Sequence, residues 1–302
     1  MSEHGSSLKA ILYAFLANLF IALTKSGAAI YTHSGSMLAE AIHSYADCGN
    51  QVLLYIGLKQ AQRPPDETHP LGYGRLSYFW SFLVAILLFS LGGLFSIYEG
   101  WHKLHAPEPL NQAWVALVVL GISIALETGS LMGCLREIDK LRRGRGFGEW
   151  LKRTRNAELV VVLGEDIAAL LGLVIAFTFV SLAALTGDTR FDALGSISIG
   201  VVLIAISAFV AVRIKRLIVG ASAEVDLRRA IDEFIRQDPA IERVFNTLTQ
   251  QVGPKVMLAA KIKLRAGLSI EEAVAAINAL ERRIRGEFPE IGWCFMEPDV
   301  ED

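Results

Sequence analysis

Six apolar runs, each long enough to cross a bilayer, constrain this 302-residue chain more than anything else in it. A helix needs about 20 mostly apolar residues to span ~30 Å of hydrocarbon. Runs near 9–31, 37–60, 76–101, 113–136, 158–185 and 192–216 meet that length. Charged residues make up 20% of the chain, but long windows before residue 218 hold almost none, and 221–302 is rich in them. This asymmetry predicts a transmembrane domain over 1–220 and a soluble domain over 221–302. The opening MSEHGSSLKA has no basic cluster, and the apolar run after it is long enough to span, so it is read as leading into a first span rather than as a cleaved signal.

Charge between the runs predicts orientation. Arg136, Lys140, Arg142, Arg143, Arg145, Lys152, Arg153 and Arg155 follow the fourth run, whereas 32–36, 102–112 and 186–191 carry only Lys103 and Arg190. Positive loops stay cytoplasmic. Both termini are therefore expected in the cytoplasm, and the short basic loops suggest a bacterial inner (plasma) membrane. The net charge of −2 points to no nucleic-acid partner. Cys48, Cys134 and Cys294 form no CxxC pair and are read as unpaired thiols.

The soluble part reads helix–strand–strand–helix–strand. In DLRRAIDEFIRQ, Leu227, Ile231, Phe234 and Ile235 share one helical face. IERVFNTLTQQV and GWCFMEP read as strands, and VMLAAKIKL alternates, with Val256, Leu258, Ala260, Ile262 and Leu264 opposite Lys261 and Lys263. Ser269 and Glu272 stand at capping-box spacing before a second amphipathic helix. One antiparallel sheet with the helices on one face is expected.

The second run holds Glu40, His43 and Asp47 at i, i+3 and i+7, which share one helical face. His43 and Asp47, one turn apart, are spaced for two ligands from one helix to meet at one ion. The fifth run holds Glu165 and Asp166 inside VVVLGEDIAALLGLVIAF. An ionisable side chain at mid-membrane costs at least ~2.5–3.5 kcal/mol. Four titratable groups on two apolar helices, with few cations to neutralise them, point to an ion site. The competing reading is structural hydrogen bonding, with one acid paired to Lys25, the only lysine deep in the first run. Glu40, Glu99 and Glu127 are secondary candidates, Glu40 for a water-filled mouth or a proton role. Asn18 and Asn50 are read mainly as packing.

Six spans, HxxxD in the second, an acid in the fifth and the α-β-β-α-β tail together resemble the cation diffusion facilitator family of divalent metal/proton antiporters. HSGSMLAEAIHSYADCGNQ, DETHPLGYGR and FDALGSISIGVVL also resemble that family locally. The resemblance implies a membrane all-α fold of six transmembrane helices followed by a small cytoplasmic α+β, metallochaperone-like domain, and a homodimer. It implies a transport site of two ligands, four residues apart, from each of spans two and five. His43, Asp47 and Asp166 match; the position four before Asp166 is Val162, and either Glu165 substitutes for it or water completes the shell. In the family's loop pattern D-x-x-H-x-x-x-H, Asp66 and His69 match and Tyr73 ends it, implying a weak two-ligand site. The six histidines, His4, His33, His43, His69, His102 and His105, all precede the soluble domain, so a histidine metal cluster is not expected there.

The implied function is efflux of a divalent metal in exchange for protons, by a secondary transporter and not an enzyme, with no permanently bound cofactor. Zinc is the first expectation. One nitrogen among carboxylates makes the site harder and admits Mn²⁺, Fe²⁺ or Co²⁺. A proton-coupled organic-solute carrier is the alternative of a different class.

Overall fold

The computed structural model describes residues 3–106, 109, 112–142 and 144–301, without the side chains of 3–17 and 88–90. Arg143 and the side chain of His4 lie outside the described residues. The chain divides into two compact units.

The first unit comprises the chain up to Gly57, Trp80–Gly144 and Glu158–Ile214. It is built from α1 (Glu3–Thr32), α2 (Gly35–Ala61), α3 (Leu76–His105), α4 (Ala113–Leu141), α6 (Ala157–Thr186) and α7 (Arg190–Val219). Among the described residues α3, α4, α6 and α7 are both long and apolar enough to cross a membrane. The helices α1 and α2, of 30 and 27 residues, match them in length. The fourth helix runs past its apolar stretch to Leu141, where ion pairs at i, i+3, Glu137 with Lys140 and Asp139 with Arg142, support the extra turn.

Buried small and aliphatic side chains of five helices make the core: Ala28 of α1, Met37 and Ala39 of α2, Leu120 of α4, Leu173 and Val180 of α6, Ile199 and Leu203 of α7. The helices α3 and α7 approach through glycine, as membrane helices do where small residues let backbones close in. A Cβ on Gly100 would stand 2.6 Å from the Ala193 carbonyl oxygen, and one on Gly200 2.6 Å from that of Gly93. Within α3, Leu88–Leu94 winds as a π-helical segment.

One end of this unit is tied by Asp192, the acid near the start of α7. Its carboxylate accepts from Ser34 Oγ (2.6 Å), Gly35 N (2.5 Å) and Ser36 N (3.2 Å), capping the start of α2, where free N–H groups favour an anion. Lys103 of α3 lies 3.8 Å away and donates to the His33 carbonyl.

The second unit comprises Leu58–Phe79, Arg145–Ala157 and Lys215–Asp302. It contains the short α5 (Phe147–Arg153), then α8 (Val225–Arg236), β1 (Ile241–Val252), β2 (Lys255–Leu264), α9 (Ile270–Glu287) and β3 (Ile291–Pro298). The element order is the expected one, and Ser269 and Glu272 form the reciprocal capping box. The sheet differs from expectation. Its order is β1-β2-β3; β1 pairs antiparallel with β2, but β3 pairs parallel with β2, so the sheet is mixed. The physical reason is α9: a helix between two paired strands carries the chain back to the starting edge, so the second strand runs in the same direction as the first. Ile231 and Ile235 of α8, Leu280 and Ile284 of α9, and Leu258, Ile262 and Cys294 of the sheet share one core. Burial pushes the Cys294 thiol up to about 12.

The basic loop has structural employment in this unit. Arg145 binds Glu224 (3.1 Å) and Asp226 (3.2 Å), Arg153 binds Asp226 (3.4 Å), and Arg155 Nε donates to the Ser222 carbonyl (2.8 Å).

Candidate functional site

The polar row of α2 faces inward, but its members have different surroundings. Glu40 is wholly buried. Its Oε2 lies 3.2 Å from Lys25 Nζ, which also donates to Ser44 Oγ at 2.9 Å. Glu40 is thus not a mouth residue; it joins α2 to α1 as half of a buried ion pair, as the structural alternative foresaw for one acid. Its other oxygen rests against Gly172 of α6, where a Cβ would overlap it.

One turn further, His43 Nε2 lies 3.7 Å from Asp47 Oδ2. That exceeds a hydrogen bond. Two ligands on one tetrahedral ion with bonds of ~2.0–2.1 Å sit about 3.3 Å apart, so the pair is close to the spacing a shared cation requires. Neither ring nitrogen of His43 has a hydrogen-bond partner among the described residues, and neither do Asp47 Oδ1 and Asp166 Oδ2. Buried polar atoms without partners are rare, and clustered ones ask for a ligand.

A cavity of about 160 Å³ lies beside this pair. Asn18 of α1, Ser44, Asp47 and Gln51 of α2, Glu127 and Ser130 of α4, and Val162, Glu165 and Asp166 of α6 line it. Four carboxylates therefore face one small space. Two are held from the side: Asn50 Nδ2 donates to Glu165 Oε1 (2.7 Å) and Ser130 Oγ to Asp166 Oδ1 (3.2 Å). The acids ring the cavity without closing on a point. Among the described residues no three His, Cys, Asp or Glu groups lie close enough together to hold a metal ion directly. His43 is fully buried behind Asp47, with its Nδ1 3.9 Å from where a Cβ on Gly92 would sit, on the π segment of α3. Its imidazole is not part of the cavity wall.

The structure brings Asp47, Glu165 and Asp166 together, with His43 at their edge. Sequence reasoning ranked Glu127 below these. The available signal was Glu127 and Ser130 at i, i+3 in an otherwise apolar helix, which puts both on one face.

The loop pair has a different environment. Asp66 and His69 approach to 3.7 Å, but the Asp66 carboxylate accepts from Tyr73 OH (2.6 Å), Thr68 N (3.0 Å), Thr68 Oγ1 (2.7 Å) and His69 N (2.7 Å). The Tyr73 hydroxyl foremost, with the Thr68 and His69 donors, holds its carboxyl well below the usual range. Its lone pairs build the turn, and His69 Nδ1 sits 2.8 Å from Thr68 Oγ1. This reads as a self-satisfied loop.

Comparison with known proteins adds the lineage. The family profile of the cation efflux transmembrane domain matches residues 11–217. The chain belongs to this family, the cation diffusion facilitators. Among curated relatives, the proton-coupled zinc antiporter SLC30A9, mitochondrial, of Xenopus laevis is 32% identical over 277 residues, 91% of this chain and 49% of that protein. Metal tolerance protein C4 of Arabidopsis thaliana is 28% identical over 284 residues, 93% of this chain and 61% of that protein. The magnetosome protein MamB of Magnetospira sp. (strain QH-2) is 23% identical over 285 residues, 92% of this chain and 89% of that protein. The chain spans about half the length of the first of these.

For a cation diffusion facilitator, the notable wall residue is Val162. It stands four residues before Asp166 and faces the cavity, so an apolar surface occupies the position where a second ligand of α6 was sought.

Proposed function

We propose that this cation diffusion facilitator exchanges a divalent metal, zinc first among candidates, for protons across a membrane. Both termini then lie on the cytoplasmic side, metal leaves the cytoplasm, and the working form is a homodimer. The site comprises His43, Asp47, Glu165 and Asp166. One observation carries the reading: carboxylates of α2 and α6 share a cavity inside a bundle of membrane-length helices, beside a buried imidazole with both nitrogens unpartnered.

Carboxylate and imidazole groups bind a cation only when unprotonated, so metal and protons compete for one set of atoms. A site exposed alternately to the two membrane faces turns that competition into exchange. Asn50 and Ser130 orient two of the acids, leaving the remaining lone pairs for the cargo. The predominance of oxygen donors in the wall favours a second reading, Mn²⁺ or Fe²⁺ as cargo of the same site.

The test is uptake of Zn²⁺ and Mn²⁺ into proteoliposomes under an imposed pH gradient. Uptake that follows the gradient and is abolished in His43→Ala and Asp47→Ala supports the proposal. Uptake that ignores the gradient, or survives both substitutions, overturns it.

A further inference from the structure

We propose that Glu127 of α4 supplies the ligand missing at Val162, so that the transported cation is held by three helices, α2, α4 and α6. The proposal rests on the metal-transport reading above and extends its site to a helix that reading does not use.

Four observations converge on it. First, α6 presents a valine to the cavity four residues before Asp166, so that stretch of the wall offers no donor of its own. Second, Glu127 lines the same cavity, and its partly buried carboxylate has no hydrogen bond or ion pair among the described residues. Third, α4 is already engaged with the site: Ser130, three residues on and on the same face, donates to Asp166. Side chains three apart on a helix stand ~5–6 Å from one another at Cβ, which places the Glu127 head next to the group that orients Asp166. Fourth, the nearby ammonium of Lys25 is taken by Glu40 and Ser44. An unpartnered carboxylate among membrane helices is costly, and a cation in the cavity is the partner its surroundings offer. Independently of the acids, His43, fully buried with both ring nitrogens unpartnered, directs Nε2 towards Asp47 on the cavity wall.

The consequence is a donor set richer in oxygen than two spaced pairs of histidine and aspartate. Replacing imidazole with carboxylate shifts preference towards harder cations such as Mn²⁺. Glu127 would then set selectivity as well as affinity.

The experiment measures equilibrium binding of Mn²⁺ and of Zn²⁺ to the detergent-purified full chain, by competition with a fluorescent metal indicator at fixed pH. Loss of a group that only orients a ligand costs about 10–100-fold in metal affinity, and loss of a ligand itself costs no less. Glu127→Gln is expected to weaken Mn²⁺ binding at least about tenfold, and Zn²⁺ binding less. Adding Val162→His to Glu127→Gln is expected to restore binding with the preference turned to Zn²⁺, a shift that repair of a merely structural defect does not produce. Glu127→Asp keeps the charge but withdraws it by one methylene; a measurable loss smaller than that of Glu127→Gln is expected, and this variant decides alone if Glu127→Gln does not fold. Mn²⁺ binding unchanged in the folded Glu127 variants overturns the proposal. Asp47→Asn separates the two readings: binding lost there but retained in Glu127→Gln leaves the site on α2 and α6 alone, whereas binding that survives Asp47→Asn overturns the site itself.

Discussion

Asp192→Asn perturbs the tie that joins α1, α2, α3 and α7, and its cost follows from the contacts. The aspartate side chain is 3% exposed and accepts from a hydroxyl and two backbone N–H groups, with Lys103 at 3.8 Å. Asparagine keeps the shape but turns one acceptor into a donor, so a buried donor at Gly35 or Ser36 faces another donor. One unmade buried hydrogen bond costs about 1–3 kcal/mol. Loss of the carboxylate charge also leaves the largely buried Lys103 without its anion, and breaking a buried pair costs about 3–5 kcal/mol. Taking about 3 kcal/mol, at roughly 2–4 °C per kcal/mol for a domain of this size, the melting temperature falls by about 6–12 °C. The assay is thermal unfolding of detergent-purified protein by tryptophan fluorescence. Glu137→Gln is the control: it removes an exposed ion pair worth about 0–1 kcal/mol and shifts the melt by no more than about 4 °C. Because Lys103 and Asp192 share one interaction, the double variant Lys103→Met/Asp192→Asn is expected to lose less than the sum of the singles. An Asp192→Asn protein that melts within about 2 °C of the unaltered one refutes the reasoning.

Two further outcomes follow from buried groups. Removing either member of the Lys25–Glu40 pair strands a charge and costs about 3–5 kcal/mol, so Lys25→Met and Glu40→Gln each lower the melting temperature, while the double variant recovers part of the loss; singles that melt like the unaltered protein refute the pairing. Cys294, held at about 12 against ~8.5 for a free thiol, has a thiolate fraction near one in ten thousand at pH 8. Since folding raises this value, the stability it contributes is complete below the unfolded value and is lost as pH rises from ~8.5 towards 12. In a Cys48→Ser/Cys134→Ser background, native protein at pH 8 is expected to resist thiol labelling and denatured protein to label fast; rapid native labelling contradicts the burial.

Much of the chain was legible because its signals are local. Four of the long apolar runs, the alternation of Val256 to Leu264 and the Ser269–Glu272 cap each depend on neighbours in sequence, and each reappears among the described residues. The i, i+4 step from His43 to Asp47 was likewise readable from helical geometry and yields the 3.7 Å approach. Less legible were relations between helices. Glu40 and Asp47 share a face on α2, yet one meets Lys25 and the other a cavity. Glu127, on a fourth helix with no family pattern to mark it, ranked low. Asp192 carries no local sign of its role, since the groups that donate to its carboxylate stand more than 150 residues away.

Periodicity and hydropathy, properties of the covalent chain, were sufficient to dictate which segments become helices or strands and which acids must lie within apolar ones. Which acid is neutralised by an internal lysine, which caps a neighbouring helix and which faces an open cavity depends on how those helices pack. Buried charges are stabilised by atoms a few ångströms away in space, and side chains distant along the chain become such neighbours only when the helices associate. The direction of β3 belongs to the same class: the strand was visible in sequence, but its alignment with β2 came from the helix that returns the chain across the sheet.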